Sequence, residues 1–507
     1  MPLQVSLAPP NSRLGDADAT LAVYLAATDS PPPPDLDDAA ATETARLLGM
    51  DVLGENNAVH LLGGSPPRAL VGVGAQGDVA LESLRRAAAH AVAAATDLRR
   101  KRLVVTVPAT LPRDATIATV VDALAEGAAL AAQARAPRAS VTPKPDAPRP
   151  PDSCLLRLLE PPDGYDLAGQ LRRTMRRVAA VELARELADT PANLMPPLAL
   201  AERAAGAAEA AGLSAEVLRS DDLERLGMGL LLAVGRGSHR PPALAVLRYR
   251  PPAATGHVAV VGKGITFDAG GINLKPAKGM ADMVHDKAGA AVAAAVAVGA
   301  AELRLDVAVT ALLACAENLP SGTAYRPGDV LTGLDGSTVE VVDTDAEGRL
   351  VLADALTYAT RLDDPPVDTL VDVATLTGSI VAALGHEAAG LFGGDDELAE
   401  RMLAAARAAG EPLWRMPILP GHRAQLKSDR ADRKQCADRW GDCAIAAAFL
   451  EAYTAERPWL HLDVAGVSYN EGSPEWPPYH PKSGAAGTGV RTLLRFLEGE
   501  AGRGATP

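Results

Sequence analysis

The sequence predicts an α/β protein built from a small N-terminal domain and a larger C-terminal domain. Short apolar runs of strand length alternate with longer alanine-rich runs of helical length through most of the 507 residues. A chain of this length usually folds as more than one domain. A proline-rich stretch at 137–152 interrupts the alternation and is typical of a surface linker.

Residues 1–136 carry the pattern expected of the small α/β domain. The strand-like runs are LAVYLAA, RALVGVGA and RLVVTVPA, and the helical runs are LESLRRAAAHAVAAATDLRR and VVDALAEGAALAAQA. With the linker, this domain is expected to span 1–160, and a helix over about 165–189 is expected to join it to the remainder, 161–507. The run VGVGAQG lacks the complete GxGxxG of a dinucleotide-binding loop, so it is a weak signal.

From about residue 190 onward the alternation predicts a large sheet with helices between its strands. The strand-like runs are ALAVLRY, VAVVG, DVAVTALLA, VEVVD, TLVDVA and LHLDVA. Charged residues lie at the ends of several of these runs or in the loops that follow. Open α/β sheets usually bind their ligands at the carboxyl ends of strands, so a functional site is expected there.

Composition restricts both the core and the function classes. Aromatic residues make up 3% of the chain, so the core must be built from Ala, Val and Leu. The net charge of −14 argues against general binding to nucleic acids or anionic membranes. The four cysteines include no CxxC pair, which favours free thiols in a reducing cytosol. No secretory signal is evident, and the longest apolar helix, 288–300, is expected to be too short for a bilayer, so a soluble cytoplasmic protein is predicted.

The decapeptide VVDTDAEGRL, residues 341–350, is the most informative stretch of the chain. A charged side chain recurs at every second position, at Asp343, Asp345, Glu347 and Arg349. In an extended strand, side chains with this spacing point the same way. Three converging carboxylates repel one another unless a cation joins them, and oxygen-rich clusters suit Mg, Mn or Zn. Taken alone, the segment is equally compatible with a solvated edge strand.

A glycine-rich segment, residues 257–290, indicates the same kind of site. An apolar run from His257 to Val261 predicts a buried strand that leads into a loop with several glycines. This segment carries the charged residues Lys263, Asp268, Lys275 and, at the start of a long Ala/Val helix, Asp286. A carboxylate is favoured at a helix N-terminus. The absence of GxxxxGK[ST] argues against a phosphate-binding loop.

Together the two segments closely resemble the leucyl aminopeptidase family (peptidase family M17), whose members remove N-terminal residues from peptides with a pair of metal ions. The resemblance lies in VGKGITFDAGGINLKP, residues 261–276, and in DTDAEGRLVLADAL, residues 343–356. Shorter stretches extend it over about 180–495, whereas the first 160 residues match only weakly. The resemblance implies a C-terminal α/β catalytic domain with a mixed central sheet flanked by helices.

The resemblance also implies a centre of two divalent metal ions per chain, Mn²⁺ or Zn²⁺. Asp268 and Glu347 would bridge the ions. Lys263 and Asp286 would complete the tighter site, and Asp345 would complete the exchangeable one. Lysine binds a metal only as a neutral amine, and two neighbouring cations would lower its pKa. The alternative for Lys263 is an ordinary salt bridge to Asp268.

The chemistry implied by the resemblance is hydrolysis by a water that the two metals activate. Lys275 would stabilise the oxyanion of the tetrahedral intermediate, and Arg349 would hold a bicarbonate ion that acts as general base. His285, adjacent to Asp286, is interpreted as structural because adjacent helical residues point different ways. The substrate would be bound by Met283, Thr375, Leu376, Thr377, Gly378 and Ala465.

Several residues depart from the family pattern, among them Ala281, where Asp is common. Asp343 stands where Asn is usual, and Lys287 stands directly after the ligand aspartate, where the family usually has Met-Gly-Gly or similar. A cation near two metals is unfavourable, so Lys287 is expected to reach solvent or to pair with Asp343. Ser468 stands where a larger apolar residue is common, which favours a roomier or more polar pocket.

Two alternatives to a peptidase stay open. The first is a non-catalytic relative that acts as a binding or scaffold protein, since some family members act in DNA transactions. The intact ligand set weighs against lost catalysis, and the charge of −14 weighs against DNA. The second is a metallohydrolase of another class, such as a phosphoesterase, which the proposed lysine ligand disfavours. By resemblance, the expected partners are peptide substrates and further copies of this chain in a homohexamer, without membrane or nucleic acid.

Overall fold

The structure, a computed structural model, describes residues 2–8, 18–27, 36, 38–49, 59–75, 79–107, 115–135, 146–159, 164–363, 365–470 and 476–503. Its contacts divide it into two compact units, Met1–Val178 with Ser473–Lys482 and Ala179–Gly472 with Ser483–Pro507. The boundary falls inside the helix Leu167–Asp189, which the sequence predicted would join the domains. Of the predicted linker, residues 137–145 lie outside the described part, as do residues 76–77 of the VGVGAQG run, and residues 146–152 form no helix or strand.

The first unit is an α/β domain. Its elements are β1 Gln4–Ala8, β2 Thr20–Ala26, α1 Asp38–Gly49, β3 Val59–Gly63, β4 Arg68–Gly72, α2 Leu81–Asp97, β5 Arg102–Val107, α3 Ile117–Arg135, β6 Ser153–Leu158 and the start of α4 Leu167–Asp189. The six strands form one sheet in the order β1-β6-β5-β2-β4-β3, in which only β3 and β4 pair antiparallel. A largely parallel sheet with helices between its strands is what the alternating sequence pattern predicted.

The second unit contains the remaining elements of the described chain. Its helices are α5 Pro197–Ala210, α6 Ser220–Leu226, α7 Gly229–Gly235, α8 Ala288–Leu303, α9 Gly348–Thr360, α10 Gly378–Leu384, α11 Asp396–Ala409, α12 Pro420–Ala424, α13 Asp442–Glu451 and α14 Val490–Arg503, with a 3₁₀ helix at Met280–His285. Its strands are β7 Ser214–Leu218, β8 Ala243–Tyr249, β9 His257–Asp268, β10 Ala308–Asn318, β11 Val330–Thr332, β12 Thr338–Glu340, β13 Thr369–Ala374, β14 Ala389–Phe392, β15 Leu413–Arg415, β16 Arg433–Lys434, β17 Trp459–Asp463, β18 Tyr469–Asn470 and β19 Gly484–Ala485.

An eight-stranded mixed sheet forms the centre of this unit, in the order β15-β14-β17-β13-β9-β10-β8-β7. The four middle strands β17, β13, β9 and β10 are parallel, and antiparallel pairing begins at β14 on one side and at β8 on the other. Helices including α5, α8 and α9 pack against it, which confirms the predicted architecture. Because the middle strands are parallel, their carboxyl ends meet at one edge of the sheet, where Asp268, Asn318 and Asp463 lie.

Helix α8 lies directly against strand β9 because both have glycine where they meet. A Cβ added to Gly262 would lie 2.4 Å from the carbonyl oxygen of Gly289, and one added to Gly289 would lie 2.1 Å from that of Val373. The rest of α8 is almost entirely buried Ala and Val, consistent with the core predicted from the low aromatic content. The close approach brings Asp286, which precedes the helix, next to the middle of β9.

Two helices of the described chain, Ile117–Arg135 and Met280–Leu303, are long and apolar enough to cross a membrane by length and composition. The second joins the 3₁₀ helix Met280–His285 to α8, which by itself has 16 residues and is too short for a bilayer, as predicted. Burial distinguishes the two helices from membrane spans, because 72% and 83% of their most apolar windows lie inside the protein. The four cysteines are free, as predicted, and all four are buried.

The side chain of Asp354 in α9 hydrogen-bonds to the backbone amides of two other segments. Its buried carboxylate accepts from the amides of Leu230 at 2.9 Å, Leu231 at 3.0 Å and Leu334 at 2.8 Å. Asp354→Ala would leave these buried donors unpaired, at roughly 1–3 kcal/mol for each group.

We therefore expect Asp354→Ala to lower the free energy of unfolding by about 3 kcal/mol or more, measured by urea denaturation. Asp354→Asn keeps one acceptor oxygen and is expected to lose less. Equal losses in the two variants would contradict this role of the carboxylate.

Candidate metal centre and active site

The carboxylates that the sequence singled out converge at the carboxyl edge of the central sheet. Asp268 ends β9, Asp286 lies between the 3₁₀ helix and α8, and Glu347 immediately precedes α9. Each of the three is buried and offers one oxygen atom, and these oxygens all lie within 4.8 Å of one another. All five proposed ligands, Lys263, Asp268, Asp286, Asp345 and Glu347, line the same cavity.

The segment that carries Asp345 and Glu347 is a turn, so the expectation of a continuous strand is wrong. Strand β12 ends at Glu340, and Glu347 has the helical backbone angles φ −71° and ψ −34° at the start of α9. The Asp343 carboxylate accepts from the amide of Asp345 at 2.9 Å, and the Asp343 carbonyl accepts from the amide of Ala346 at 3.2 Å. The two ligands thus reach the site through a turn and a helix start.

Lys263 pairs with two of the carboxylates. Its Nζ lies 2.9 Å from Asp286 Oδ1 and 2.8 Å from Glu347 Oε1, and it donates to the carbonyl of Thr375 at 2.8 Å. Burial lowers the pKa of Lys263, but the surrounding carboxylates outweigh burial and raise its pKa above the usual range. The salt bridge to Asp268 weighed in the sequence analysis is not formed.

Lys275 pairs with the other two carboxylates of the predicted centre. Its Nζ lies 2.9 Å from Asp268 Oδ2 and 2.6 Å from Asp345 Oδ1. Burial opposes the charge of Lys275, but Asp268, Glu347 and Asp345 together raise its pKa. Lys275 is therefore a cation that faces the cavity.

The carboxylate cluster carries more negative charge than its surroundings neutralise. Burial, reinforced by the charges of Glu347 and Asp268, raises the pKa of Asp286 to about 8 despite the nearby Lys263. Burial and the neighbouring carboxylates also raise the pKa of Asp345 to about 7 and that of Glu347 above its usual range.

Two oxygens of the cluster, Asp286 Oδ2 and Glu347 Oε2, are buried without a hydrogen-bond partner. Buried oxygens of this kind, grouped among mutually repelling carboxylates, fit a set of ligands for hard or borderline divalent cations.

Sequence reasoning missed three residues that hold the cluster in place. The Asn318 amide nitrogen donates to Asp268 Oδ1 at 2.8 Å and to the Thr344 carbonyl at 2.9 Å. The Tyr325 hydroxyl donates to the same Thr344 carbonyl at 2.8 Å. Asn318 ends the buried apolar strand β10, and a polar residue at such a position was the available signal.

Arg349 lines the cavity from the first turn of α9. Its Nη1 donates to the carbonyl of Gln435 at 3.1 Å, and its Nη2 donates to Asp442 Oδ1 at 3.0 Å. Its Nε is buried without a hydrogen-bond partner. Sequence reasoning did not anticipate Asp442, because it lies 93 residues further along the chain.

The predicted substrate-binding residues all line one cavity of about 850 Å³: Met283, Thr375, Leu376, Thr377, Gly378 and Ala465. Asp463 holds the main chain of this group, since it accepts from the amide of Leu376 at 3.1 Å and from the hydroxyl of Thr377 at 2.6 Å. The sequence analysis did not single out Asp463. Ser468 is buried and is not among the residues that line the cavity, so the roomier or more polar pocket stays a prediction.

Lys287 neither reaches solvent nor pairs with Asp343, so both expectations for it are wrong. It is fully buried, and its Nζ donates to the carbonyl of Val284. Burial lowers the pKa of Lys287 to about 8, while Asp189 and Asp286 favour its charged form. The neighbouring His285 contacts Asp189 at 3.0 Å and stacks on Tyr469, which agrees with a structural role.

Comparisons with known proteins match both the N-terminal and the C-terminal part of the chain. Residues 182–494 match the catalytic domain of the cytosol aminopeptidase family, and residues 52–133 match the N-terminal domain of that family. A probable cytosol aminopeptidase of Micrococcus luteus is 41% identical over 513 residues, which cover 96% of this chain and 97% of the relative. A second, from Syntrophotalea carbinolica, is 41% identical over 435 residues, or 85% of each chain.

A solved structure shares the fold along most of the chain. The bottromycin maturation enzyme BotP in complex with Mn superposes with a TM-score of 0.82 and 33% identity, covering 95% of this chain and 100% of that one.

Proposed function

The chain belongs to the cytosol aminopeptidase family, and on that premise we propose that it releases leucine and other apolar N-terminal residues from peptides by a two-metal mechanism. Membership makes the chain a metal-dependent aminopeptidase, a peptidase of the hydrolase class. The observation that carries the finer proposal is the convergence of Asp268, Asp286 and Glu347, with buried oxygens that no protein group satisfies.

Two divalent ions per chain, Mn²⁺ or Zn²⁺, are proposed to bind in this cluster. Asp268 and Glu347 would be shared between the ions, Lys263 and Asp286 would belong to one, and Asp345 to the other. Manganese is supported by the Mn complex of BotP. Lys263 must lose its proton to bind a metal. In the metal-free structure the carboxylates raise the pKa of Lys263. In the loaded centre they would bind the ions instead, and the positive charge of the ions would disfavour the ammonium form of Lys263.

The bound pair would supply an activated water and a polarised scissile carbonyl. The residues of the chain would position the peptide and stabilise the transition state. Lys275, which lines the cavity, would donate to the oxyanion that develops on the carbonyl oxygen. Asp463 accepts hydrogen bonds from the main-chain amide of Leu376 and from the hydroxyl of Thr377, and the segment that it fixes would align the peptide.

The proposed preference for apolar residues follows from the cavity wall. Met283, Leu376 and Ala465 line it together with Val381 and two alanines of α10, so an aliphatic side chain would be removed from water on binding. A homohexamer, a cytoplasmic location and the absence of membrane or nucleic-acid partners are proposed from family membership and the charge of −14. The intact cluster supports catalysis over a purely binding role.

The proposal is tested by hydrolysis of leucine p-nitroanilide with chelator-treated protein, before and after addition of Mn²⁺ or Zn²⁺. We expect no release without metal, restored release with metal, and two bound ions per chain by elemental analysis. Arginine and glutamate anilides serve as matched substrates and are expected to react more slowly. Turnover of phosphate esters without turnover of any aminoacyl anilide would instead identify a metallohydrolase of another class.

A further inference from the structure

The guanidinium of Arg349 is already paired with a carboxylate of the chain, that of Asp442. Its side chain is 3% exposed, and Nη2 lies 3.0 Å from Asp442 Oδ1, while Nη1 is engaged by the carbonyl of Gln435. The remaining donor without a hydrogen-bond partner is the buried Nε. A bicarbonate ion on Arg349, as the family resemblance implies, would have to share the guanidinium with the carboxylate of Asp442.

Asp442 is held in this position by the start of a helix. It is the first residue of α13, a helix of 10 residues whose N-cap, Gly441, has a left-handed backbone with φ 73°. A carboxylate in the first turn interacts favourably with the positive end of the helix dipole. Asp442 therefore faces positive charge from two sides, the guanidinium of Arg349 and the helix N-terminus.

The Asp442 carboxylate faces the same cavity as the carboxylate cluster. Arg349 and Asp442 line it together with Asp345, Glu347 and the substrate-binding main chain at Leu376. The side chain of Asp442 is 26% exposed and lines the cavity, so it stays accessible while it contacts Arg349. A second anion placed on Arg349 would lie against this like charge in a partly desolvated wall.

We propose that Asp442 is the built-in anion of Arg349 and replaces bicarbonate as the proton acceptor, so that this enzyme works without bicarbonate. The inference rests on the proposed aminopeptidase function and deepens it. In the first step the oxygen of the attacking water bonds to the scissile carbonyl carbon, and the proton that it loses passes to the carboxylate of Asp442. In the second, that proton passes to the amine nitrogen of the leaving peptide as the C–N bond breaks, which restores the carboxylate.

The test compares hydrolysis of leucine p-nitroanilide in carbon-dioxide-depleted buffer with hydrolysis after addition of bicarbonate. The wild-type protein is expected to be equally active in both. Asp442→Ala is expected to lose about 10²-fold or more in kcat without bicarbonate, as for loss of a general base, and to regain a large part of it when bicarbonate is added. Asp442→Asn, which keeps the shape, provides a second variant should the alanine variant fail to fold.

Asp438→Asn is the matched control. Asp438 also lines the cavity, but its carboxylate accepts from the amide of Arg439 and does not contact Arg349. The control removes the same charge and is expected to gain no dependence on bicarbonate. A general loss of cavity charge would affect the two variants alike, whereas the proposed replacement predicts rescue only at position 442.

A readout independent of activity is the binding of ¹³C-labelled bicarbonate to the zinc-loaded protein, followed by broadening of its NMR line. We expect no binding to the wild type and binding to Asp442→Ala. Stimulation of the wild type by bicarbonate, or an alanine variant that neither binds bicarbonate nor recovers with it, would overturn the inference. An inactive wild type would count against the proposed function alone, because the binding experiment would still decide whether Asp442 excludes bicarbonate.

Discussion

Glu347→Ala is expected to abolish peptide hydrolysis while leaving the protein folded. Glu347 is 1% exposed, and its two oxygens differ in their surroundings. Oε1 lies 2.8 Å from Lys263 Nζ, whereas Oε2 is buried without a hydrogen-bond partner. In the proposed centre Glu347 would help to hold both ions, so the substitution would remove a ligand from each of them.

The size of the effect follows from the role of a shared ligand. Mutation of a residue that only hydrogen-bonds to a metal ligand already lowers metal affinity or activity about 10–100-fold. Loss of a ligand shared by two ions is therefore expected to lower kcat/KM on the order of 10³-fold or more. The variant is expected to fold because the substitution relieves repulsion among the buried carboxylates. The substitution removes one of several buried carboxylates that raise one another's pKa, and it leaves Lys263 paired with Asp286.

The measurement combines kcat/KM for leucine p-nitroanilide with metal content by elemental analysis and the thermal midpoint of the metal-free protein. Glu340→Ala is a suitable control, because Glu340 lies on the neighbouring strand β12 and accepts from the hydroxyl of Ser428 instead of lining the cavity. The control is expected to retain both ions. A Glu347→Ala variant that keeps two tightly bound ions and wild-type activity would refute the assignment of this carboxylate.

Lys275→Met is expected to reduce kcat by about 10²–10³-fold, the usual cost of losing one oxyanion donor. Burial lowers the pKa of Lys275, but in the metal-free protein the neighbouring carboxylates outweigh burial and raise it, and the side chain faces the cavity. Methionine keeps most of the length and apolar stem but cannot donate. The KM for an anilide is expected to change little, because the lost interaction would form mainly in the transition state.

Metal content separates a role in catalysis from a role in holding the centre together. Lys275 pairs with Asp268 and Asp345, so its removal frees two proposed ligands and is expected to preserve or tighten metal binding. Lys278→Met is the matched control, since Lys278 is an exposed lysine of the same loop. Loss of metal in parallel with loss of kcat would show that Lys275 acts through the structure of the centre, not on the oxyanion.

The sequence determined the fold class and the intervals between the candidate ligands. Strands β9, β10, β13 and β17 could be predicted because buried parallel strands are continuous apolar runs, and the long Ala/Val run of α8 predicted a helix. Lys263 and Asp268 could be identified because both lie within one strand and its loop. These are local properties, which depend on residues close together in the chain.

The tertiary structure alone decided which distant groups complete the site. Asn318, Asp442 and Asp463 lie on separate elements, and the parallel order of the central sheet and the start of α13 bring them to residues that line the cavity. The sequence also suggested a strand through Asp345 where a turn exists, because an alternating charge pattern cannot distinguish the two. A local pattern specifies which residues are available, whereas burial and long-range hydrogen bonds determine which charges meet, and those depend on the folded chain.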